Sequence, residues 1–299
     1  MKKEALYNDI IDNFDELKYA LLDAQTFSTK HYGFPEIYYK IMETDRIRIG
    51  AYQRAFAKYN HLKDAVVCEA GIGRLALTRH YLPYVKKAYL IENNPNIIDF
   101  IKSELAKNGW TDKVELIVGD AMKVQLPEKV DYLIGELMSI FCANEYQVQI
   151  FKHLRKFLKP TGKLIPEKIH NLVQLGNTSF ENGHKHYPLL FTRHWPELLS
   201  TQVLLNTTDL YKVSRYTVKK TVKLKNFLSG EANCVYMNSL VQMAEGINFT
   251  GTDSLMPPTV LKLKEPNSVK AGETVKLRGV YTYGTSLDAA VFELLTKEK

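Results

Sequence analysis

The sequence predicts an α/β protein with N-terminal helices, a doubly wound parallel sheet and a β-rich C-terminal part. Up to about residue 167, short apolar runs alternate with segments whose apolar residues recur every three or four positions. This alternation is typical of parallel strands joined by helices that cover both faces of the sheet. Beyond that point β-rich segments follow one another. The predicted domains are therefore residues 1–60, 61–167 and 168–299.

The individual elements follow the same two patterns. Residues 4–22 and 35–60 have helical periodicity. The predicted strands of the sheet are AVVCEAGIG, AYLIEN, VELIVGDAM and VDYLIGEL, and the predicted helices between and after them are LALTRHYLPYV, PNIIDFIKSELAKNGW and EYQVQIFKHLRKFLK. A further strand is predicted in GKLIPEKIHNLVQL, and the β-rich part contains QVLLNTT, RYTVKKTVKLKNF, CVYMNSLVQMAEGINFT, TVLKLKE and TVKLRGVYTYG.

Composition narrows the class of protein. The 299 residues are 45% hydrophobic and 24% charged, with a net charge of +7, which is the balance of a soluble globular protein. No run of Lys and Arg is interleaved with aromatic residues, which argues against a nucleic-acid partner. The three cysteines are widely scattered, so we expect neither disulfides nor a metal site and place the protein in the reducing cytoplasm. Neither a signal peptide nor a membrane span is expected.

A glycine turn follows the first predicted strand. Gly71 and Gly73 come directly after it, and Glu69 lies near its end. Glycines let the backbone turn tightly and approach a ligand closely. Glu92 ends the next strand, about where a ribose-binding acid is found, and Asp120 ends the third. Because ligands of such sheets bind at the carboxyl ends of the strands, these residues predict a Rossmann-like nucleotide-binding domain.

Ligands of such a domain bind in a crevice at the carboxyl ends of the strands, and both NAD and S-adenosylmethionine (SAM) suit this crevice. The fourth strand, VDYLIGEL, ends at Glu136, beside the predicted mouth of the crevice. A methyl donor would present its sulfonium to an acceptor at this point. Glu145 follows nine residues later in GELMSIFCANE, a segment that is otherwise mostly apolar. Two carboxylates in one loop favour a methyl donor over NAD.

At this point the sequence resembles the class I SAM-dependent methyltransferases, and specifically the protein arginine methyltransferase family. Met42 and Arg48 have the spacing of the family's N-terminal helix, which precedes the EAGIG turn. GELMSIFCANE resembles the family's double-glutamate loop, and LKPTGKLIPE resembles the segment that leads into its β-barrel. The resemblance covers about residues 30–170, and the rest matches in its general β-rich character.

The resemblance implies a set of roles for individual residues. Glu136 and Glu145 would grip a substrate guanidinium as catalytic residues. SAM, with S-adenosyl-L-homocysteine as its product, would be bound by Arg48 at its carboxylate, by the glycine turn, by Glu92 at its ribose and near its adenine by Asp120 and Ala121. Glu69 takes the family's acidic position in the turn, and the C-terminal part is expected to be β-barrel-like.

The sequence also departs from the family. Leu75 stands where the family has the third glycine of its turn, and Ser254, Leu255 and Met256 stand where it has a Thr-His-Trp loop. Tyr32, Tyr38 and Tyr39 are the nearest counterparts of the family's N-terminal tyrosines. The family's dimerisation arm is shorter here and includes Thr192, Arg193, His194 and Trp195. A homodimer is therefore only an open prediction.

The reading that these observations favour is a SAM-dependent N-methyltransferase that acts on a guanidino or amino group. Its acceptor would be a small molecule, a peptide or a protein, with an arginine-type acceptor favoured. Two alternatives stay open at this level. One is a methyltransferase of the same fold that acts on an oxygen or carbon nucleophile of a small metabolite. The other is a degenerate module that binds a partner without catalysis.

Overall fold

A computed structural model describes residues 39–40, 42–180, 183–189 and 195–295. The helix predicted over residues 4–22 lies outside this range. So do Tyr32 and Tyr38, and most of the Thr-Arg-His-Trp string.

Five strands form a parallel sheet in the first half of the chain. They are β1 (Val66–Ala70), β2 (Lys87–Glu92), β3 (Val114–Val118), β4 (Val130–Gly135) and β5 (Leu158–Ile165). Their order is β3-β2-β1-β4-β5, with every pair parallel. The order reverses between β1 and β4, which opens a crevice at their carboxyl ends. The predicted α/β class is therefore confirmed.

Three α-helices of four residues or more accompany this sheet in the described part of the chain. They are α1 (Arg46–Lys58), α2 (Ile98–Lys107) and α3 (Gln147–Leu154). The helix predicted over residues 35–60 is interrupted by a turn at residues 43–44, and α1 begins only after Asp45. The Asp45 carboxylate accepts a hydrogen bond from the Arg48 N–H at 3.0 Å. An aspartate in this position satisfies a backbone donor that the helix itself leaves unpaired.

One predicted helix is wrong. LALTRHYLPYV contains only a 3₁₀ turn, Thr78–His80, flanked by other turns. The hydroxyl groups of Thr78 and Tyr81 both donate to the buried carboxylate of Glu69, at 2.7 and 2.6 Å. A 3₁₀ turn aligns residues three apart on one side, so it lets both hydroxyls reach the same carboxylate. Leu75, with φ +64°, prevents a regular helix from starting earlier.

The second half of the chain is antiparallel. Its strands are β6 (Lys168–Asn177), β7 (His186–Pro188), β8 (Glu197–Leu198), β9 (Val203–Asp209), β10 (Thr217–Lys225), β11 (Gly230–Ala244), β12 (Ile247–Thr250), β13 (Thr259–Val269), β14 (Thr274–Thr282) and β15 (Val291–Leu295). One sheet has the order β7-β13-β11-β6-β8, with β9 on β6 and β12 on β11, and the other is β10-β14-β15. The arrangement is barrel-like, as expected.

Two details of the strand prediction differ. GKLIPEKIHNLVQL forms two strands, β5 and β6, which meet at Pro166 and Glu167. Proline has no N–H for a sheet ladder, so it separates them. Three strands were not predicted: the short β7 and β8, and β15, in which the exposed Val291 and Leu295 break the usual pattern of a core strand.

The parallel and antiparallel parts share one continuous hydrophobic core. The end of α1 contacts the antiparallel part directly: the Tyr59 hydroxyl donates to the Glu167 carboxylate at 3.2 Å and the Lys58 ammonium donates to the Glu245 carbonyl at 2.6 Å. The exact domain boundaries stay a prediction. No helix in the described ranges has the length and apolar character needed to cross a membrane.

Candidate functional site

A cavity of about 470 Å³ lies at the carboxyl ends of the parallel strands. Every predicted site residue lines it: Arg48, Glu69, Gly71, Gly73, Glu92, Asp120, Ala121, Glu136 and Glu145. The crevice between β1 and β4 is where a doubly wound sheet binds its ligand. The structure therefore brings the predicted cofactor-binding residues and the two loop glutamates together around one cavity.

The glycine turn forms the floor of this cavity. Gly71 and Gly73 both have positive φ angles, +70° and +51°. A Cβ atom on Gly71 would lie 2.4 Å from Cδ2 of Leu137, and one on Gly73 would lie 3.2 Å from Cδ1 of Tyr39. Both positive φ angles favour glycine, and a Cβ at either position would force a neighbouring side chain to move. Leu75 also has a positive φ, so the backbone conformation expected of a third glycine is present without the glycine.

Glu92 is held by backbone N–H groups. One oxygen accepts from Asn93 at 2.9 Å and from Asn94 at 2.8 Å, and the other accepts from Gly73 at 3.0 Å. Burial raises the pKa of this carboxyl group, and the three N–H donors oppose that rise. The remaining oxygen lone pairs of a fixed carboxylate suit the hydroxyl groups of a ribose.

Glu69 lies deeper in the wall of the cavity and is 1% exposed. Burial raises the pKa of its carboxyl group to about 7, against the hydrogen bonds from Tyr81 and Thr78. Asp120 lies at the opposite end, where its carboxylate accepts from the Met122 N–H at 2.9 Å. Ala121 is buried beside it and also lines the cavity.

An ion-pair network surrounds Glu136. The Arg48 guanidinium lies 3.0 Å from the Glu136 carboxylate and 3.5 Å from that of Asp45. It also donates to the Met42 carbonyl at 3.2 Å. The Arg48 side chain is 3% exposed, whereas Glu136 keeps 20% because it faces the cavity. Burial raises the pKa of Glu136, although the Arg48 charge opposes this.

Glu145 has a different environment. Burial and the nearby negative charge of Glu136 raise the pKa of its carboxyl group to about 8, and the Arg48 charge lowers it only in part. Since Glu136 is paired with Arg48, Glu145 is the member of the pair that carries a proton near neutral pH. A cation between the two carboxylates would remove that proton.

The comparisons with known proteins agree with this geometry. A family model described as PRMT5 arginine-N-methyltransferase matches residues 28–165. An uncharacterized protein of Methanocaldococcus jannaschii is 27% identical over 85% of this chain and 95% of its own length. Protein arginine N-methyltransferase 5 of Oryza sativa subsp. indica is 30% identical over 46% of this chain, and histone-arginine methyltransferase CARMER of Drosophila grimshawi is 28% identical over 55%. The chain matches only 23% and 32% of the lengths of these two enzymes.

Solved structures show the same fold. The Trypanosoma brucei PRMT1 enzyme-prozyme heterotetrameric complex with AdoHcy gives a TM-score of 0.68 at 20% identity, covering 84% of this chain and 88% of that one. Protein arginine methyltransferase 10 of Arabidopsis thaliana gives 0.67 at 16% identity, covering 81% and 86%. The chain is a class I SAM-dependent methyltransferase that resembles the protein arginine methyltransferases.

The double-glutamate loop of this methyltransferase is held to the parallel sheet by hydrogen bonds at its start, where it leaves β4. The Gln147 amide accepts from the Leu137 N–H at 2.8 Å and donates to the Gly135 carbonyl at 3.4 Å. The Tyr52 hydroxyl donates to the same carbonyl at 2.8 Å. These bonds fix the direction in which the chain leaves β4, and hence the position of Glu136.

The tip of the loop, at Phe141 and Cys142, is held to the antiparallel part by hydrogen bonds. Phe141 and Cys142 have positive φ angles of 62° and 50°, which non-glycine residues adopt only under strong constraint. The Phe141 N–H donates to the Ser239 hydroxyl at 3.1 Å, and the Gly284 N–H donates to the Cys142 carbonyl at 2.9 Å. The Ser239 hydroxyl in turn donates to the side-chain oxygen of Asn171 at 2.9 Å.

Sequence reasoning missed three residues that support the methyltransferase site: Asp45, Gln147 and Ser239. Asp45 stands three residues before Arg48 at a helix start, which is a recognisable N-cap pattern. Its other oxygen accepts from the Leu255 N–H at 2.8 Å. The loop that replaces Thr-His-Trp therefore contacts the helix that carries Arg48. Ser239 gave no such signal because its partner Phe141 is 98 residues away.

Among the described residues, His186, Trp195 and Cys142 do not line the cavity. His186 lies 3.3 Å from Asp288 in the antiparallel part. Across the described residues, no group of three or more His, Cys, Asp or Glu side chains is arranged to bind a metal ion. Trp195 is 55% exposed, so it is not the core residue that its size suggests. Cys142 is a buried thiol, and burial raises its pKa far from reactivity.

Proposed function

We propose that this methyltransferase transfers a methyl group from SAM to a guanidino or amino nitrogen, with an arginine side chain of a peptide or protein as the favoured acceptor. One observation carries the proposal. Glu136 and Glu145 open into the same cavity as the glycine turn and Glu92. Donor and acceptor sites are thus adjacent, as group transfer requires.

The residues present fit SAM. Gly71 lines the cavity without a side chain, and a Cβ there would meet the Leu137 side chain at 2.4 Å, so the backbone of the turn can lie next to the bound cofactor. Glu92 would bind the ribose hydroxyls, and Asp120 and Ala121 would flank the adenine. Arg48, which lies between Asp45 and Glu136, would supply positive charge toward the carboxylate of SAM. When bound, SAM supplies a sulfonium methyl group: the acceptor nitrogen gains the methyl, sulfur keeps the electron pair of the broken bond, and one proton leaves the nitrogen.

The two glutamates fit a guanidinium. This group is planar, carries five N–H donors and pairs with carboxylates in fixed geometry. Glu136 is already oriented by Arg48 at 3.0 Å, so it can accept from the guanidinium without reorganising. Glu145 would accept from the other side. Together they draw positive charge away from the nitrogen that attacks, and Glu145, which the bound cation keeps ionised, can accept the proton released.

The test is methyl transfer from labelled SAM to arginine peptides, free arginine derivatives and polyamines, with mass spectrometry of the products. We expect methylation at an arginine nitrogen. Glu136→Gln is expected to lower kcat by roughly a hundredfold or more while S-adenosylhomocysteine affinity is kept. Glu231→Gln, an exposed residue on β11, is the matched control. Turnover by Glu136→Gln equal to that of the control, or a methyl group found only on oxygen or carbon, would contradict the proposal.

Assembly and location stay predictions. The Trypanosoma relative belongs to a heterotetrameric complex, which supports association in general, and we propose that this chain associates as a homodimer. Residues 190–194 of the predicted arm lie outside the described part. Sedimentation analysis of the purified protein would decide between monomer and dimer. A cytoplasmic location is proposed from the scattered cysteines alone.

A further inference from the structure

The outward face of the three-stranded sheet carries a group of lysines. Lys219, Lys223 and Lys225 occupy alternate positions of β10 and are exposed, as is Lys276 on the neighbouring strand β14. Successive odd positions of a strand point to the same side. The register places Lys223 directly opposite Lys276. These four residues are called the lysine face below.

The positive charge of the lysine face is not neutralised within the described residues. None of the four ammonium groups there forms a salt bridge, whereas Arg278, further along β14, pairs with Glu293 at 3.0 Å. Like charges directly opposite one another destabilise a sheet. Lysines on an edge strand such as β10 are also used to prevent aggregation. That explanation does not cover Lys276, because β14 is the middle strand of its sheet.

The strands that carry the lysine face are connected to the double-glutamate loop at one end. Thr217, at the start of β10, is opposite Thr282, at the end of β14, and their hydroxyls are 3.0 Å apart. Two residues after Thr282, the Gly284 N–H donates to the carbonyl of Cys142 in the double-glutamate loop. The lysine face starts two residues after Thr217 and extends along β10, from Lys219 to Lys225, for up to about 20 Å.

We infer that the lysine face binds an acidic segment of the acceptor polypeptide, next to the residue that is methylated. This inference rests on the proposed function. An extended peptide repeats its side chains on one side every ~6.8 Å, which is the spacing of Lys223 and Lys225 on β10, and Lys219 lies two such repeats from Lys223. Carboxylates at alternate positions of a peptide can therefore meet Lys223 and Lys225 in turn, and Lys219 further along. They also relieve the repulsion between Lys223 and Lys276.

The same observations favour a peptide over a nucleic acid. The outward positions of β10 hold only lysine and threonine, at residues 217, 219, 221, 223 and 225. Proteins that bind single strands place aromatic side chains among their basic residues, so that bases can stack on them. Because no aromatic side chain lies among these lysines on β10, the lysine face can bind a partner only through its charge, which favours an acidic peptide.

The experiment measures peptide binding by fluorescence anisotropy, without SAM. One labelled peptide has an arginine followed by alternating Glu and Gly, and a second replaces each Glu with Ser. The variant is Lys219→Glu/Lys223→Glu/Lys276→Glu. The matched control is Lys63→Glu/Lys86→Glu/Lys102→Glu, three exposed lysines of the parallel part. Lys223→Gln/Lys276→Gln is a milder second variant, in case the triple reversal unfolds.

We expect the triple reversal to raise the Kd of the acidic peptide by roughly tenfold or more, with a smaller rise for the double variant. The control and the Ser peptide should change little, and added salt should weaken only the binding of the acidic peptide. An unchanged Kd, an equal effect of the control, or tighter binding of single-stranded RNA than of the acidic peptide would overturn the inference. The proposed function is tested separately by measuring methyl transfer from SAM to the Ser peptide, which has the arginine but no acidic residues.

Discussion

At the scale of single residues, the two loop glutamates are chemically unequal. Glu136 has a permanent cation beside it in Arg48, at 3.0 Å. Burial together with the charge of Glu136 raises the pKa of Glu145 to about 8. The same residue type therefore has two protonation states within one loop, and the difference comes from which glutamate the arginine reaches.

This inequality predicts proton release when an acceptor binds. A guanidinium between the carboxylates lowers the pKa of Glu145, so near pH 7 up to about one proton leaves as the acceptor binds. Acceptor affinity should rise with pH up to about 8 and then level off, because free Glu145 is by then ionised. Titration calorimetry in buffers of different ionisation enthalpy measures the proton count. Glu145→Gln should abolish the release, and a release that persists in this variant would assign the proton to another group.

A second residue-scale prediction concerns the glycine turn. Gly71→Ala and Gly109→Ala both place a Cβ at a positive φ, +70° and +69°, but only the Cβ on Gly71 meets another side chain. Both variants should lose about 1 kcal/mol of stability. Gly71→Ala should also lower S-adenosylhomocysteine affinity by roughly tenfold, because Leu137 must move at the cavity floor. Equal cofactor affinity in the two variants would show that the contact with Leu137 is unimportant.

At the scale of elements, the double-glutamate loop joins two parts of the fold. Its near end is held by Tyr52 and Gln147, and its tip is held by Ser239 and Gly284. Since Glu136 belongs to the near end and Glu145 follows the tip, their separation depends on the antiparallel part as well as on β4. A site made in this way needs both halves of the chain.

Ser239→Ala tests this dependence. The change leaves the buried Phe141 N–H without its acceptor, which costs about 1–3 kcal/mol. We expect kcat/KM for the acceptor to fall several-fold while S-adenosylhomocysteine affinity is kept. Ser200→Ala is the matched control, because its buried hydroxyl accepts from the Leu175 N–H at 2.9 Å, away from the loop. If both variants lose stability and acceptor turnover equally, Ser239 has a structural role only.

At the scale of the whole molecule, the parallel and antiparallel parts are joined into one unit. The hydrophobic core is continuous between them. Asp45 bonds both Arg48 and the Leu255 N–H of the antiparallel part, and the Tyr59 hydroxyl bonds Glu167 at their junction. Ligand binding in the cavity therefore acts on a structure in which neither part is independent.

This unity predicts a single unfolding transition. Differential scanning calorimetry should give one peak, and S-adenosylhomocysteine at about a hundredfold excess over its Kd should stabilise the whole protein by about 2.7 kcal/mol. Because both parts unfold together, the entire peak should move. Two peaks, of which only one responds to the ligand, would mean that the parts unfold separately.

The architecture and most of the residues that line the cavity could be predicted from the amino-acid sequence alone. Alternating strand and helix patterns require a parallel sheet, and a parallel sheet places every strand's carboxyl end at one edge. Gly71, Glu92, Asp120 and Glu136 were therefore predictable as neighbours, because each follows or ends a strand. These are local signals, readable within a few residues.

How those residues behave depends on contacts that form only in the folded chain. Arg48 reaches Glu136 rather than Glu145, Glu69 accepts from Thr78 and Tyr81 in the segment predicted as a helix, and Ser239 fixes a loop tip 98 residues away. Lys223 and Lys276 meet only through strand register. Protonation, pairing and strain depend on atoms that are close in space and distant along the chain. Local sequence patterns do not encode those distances.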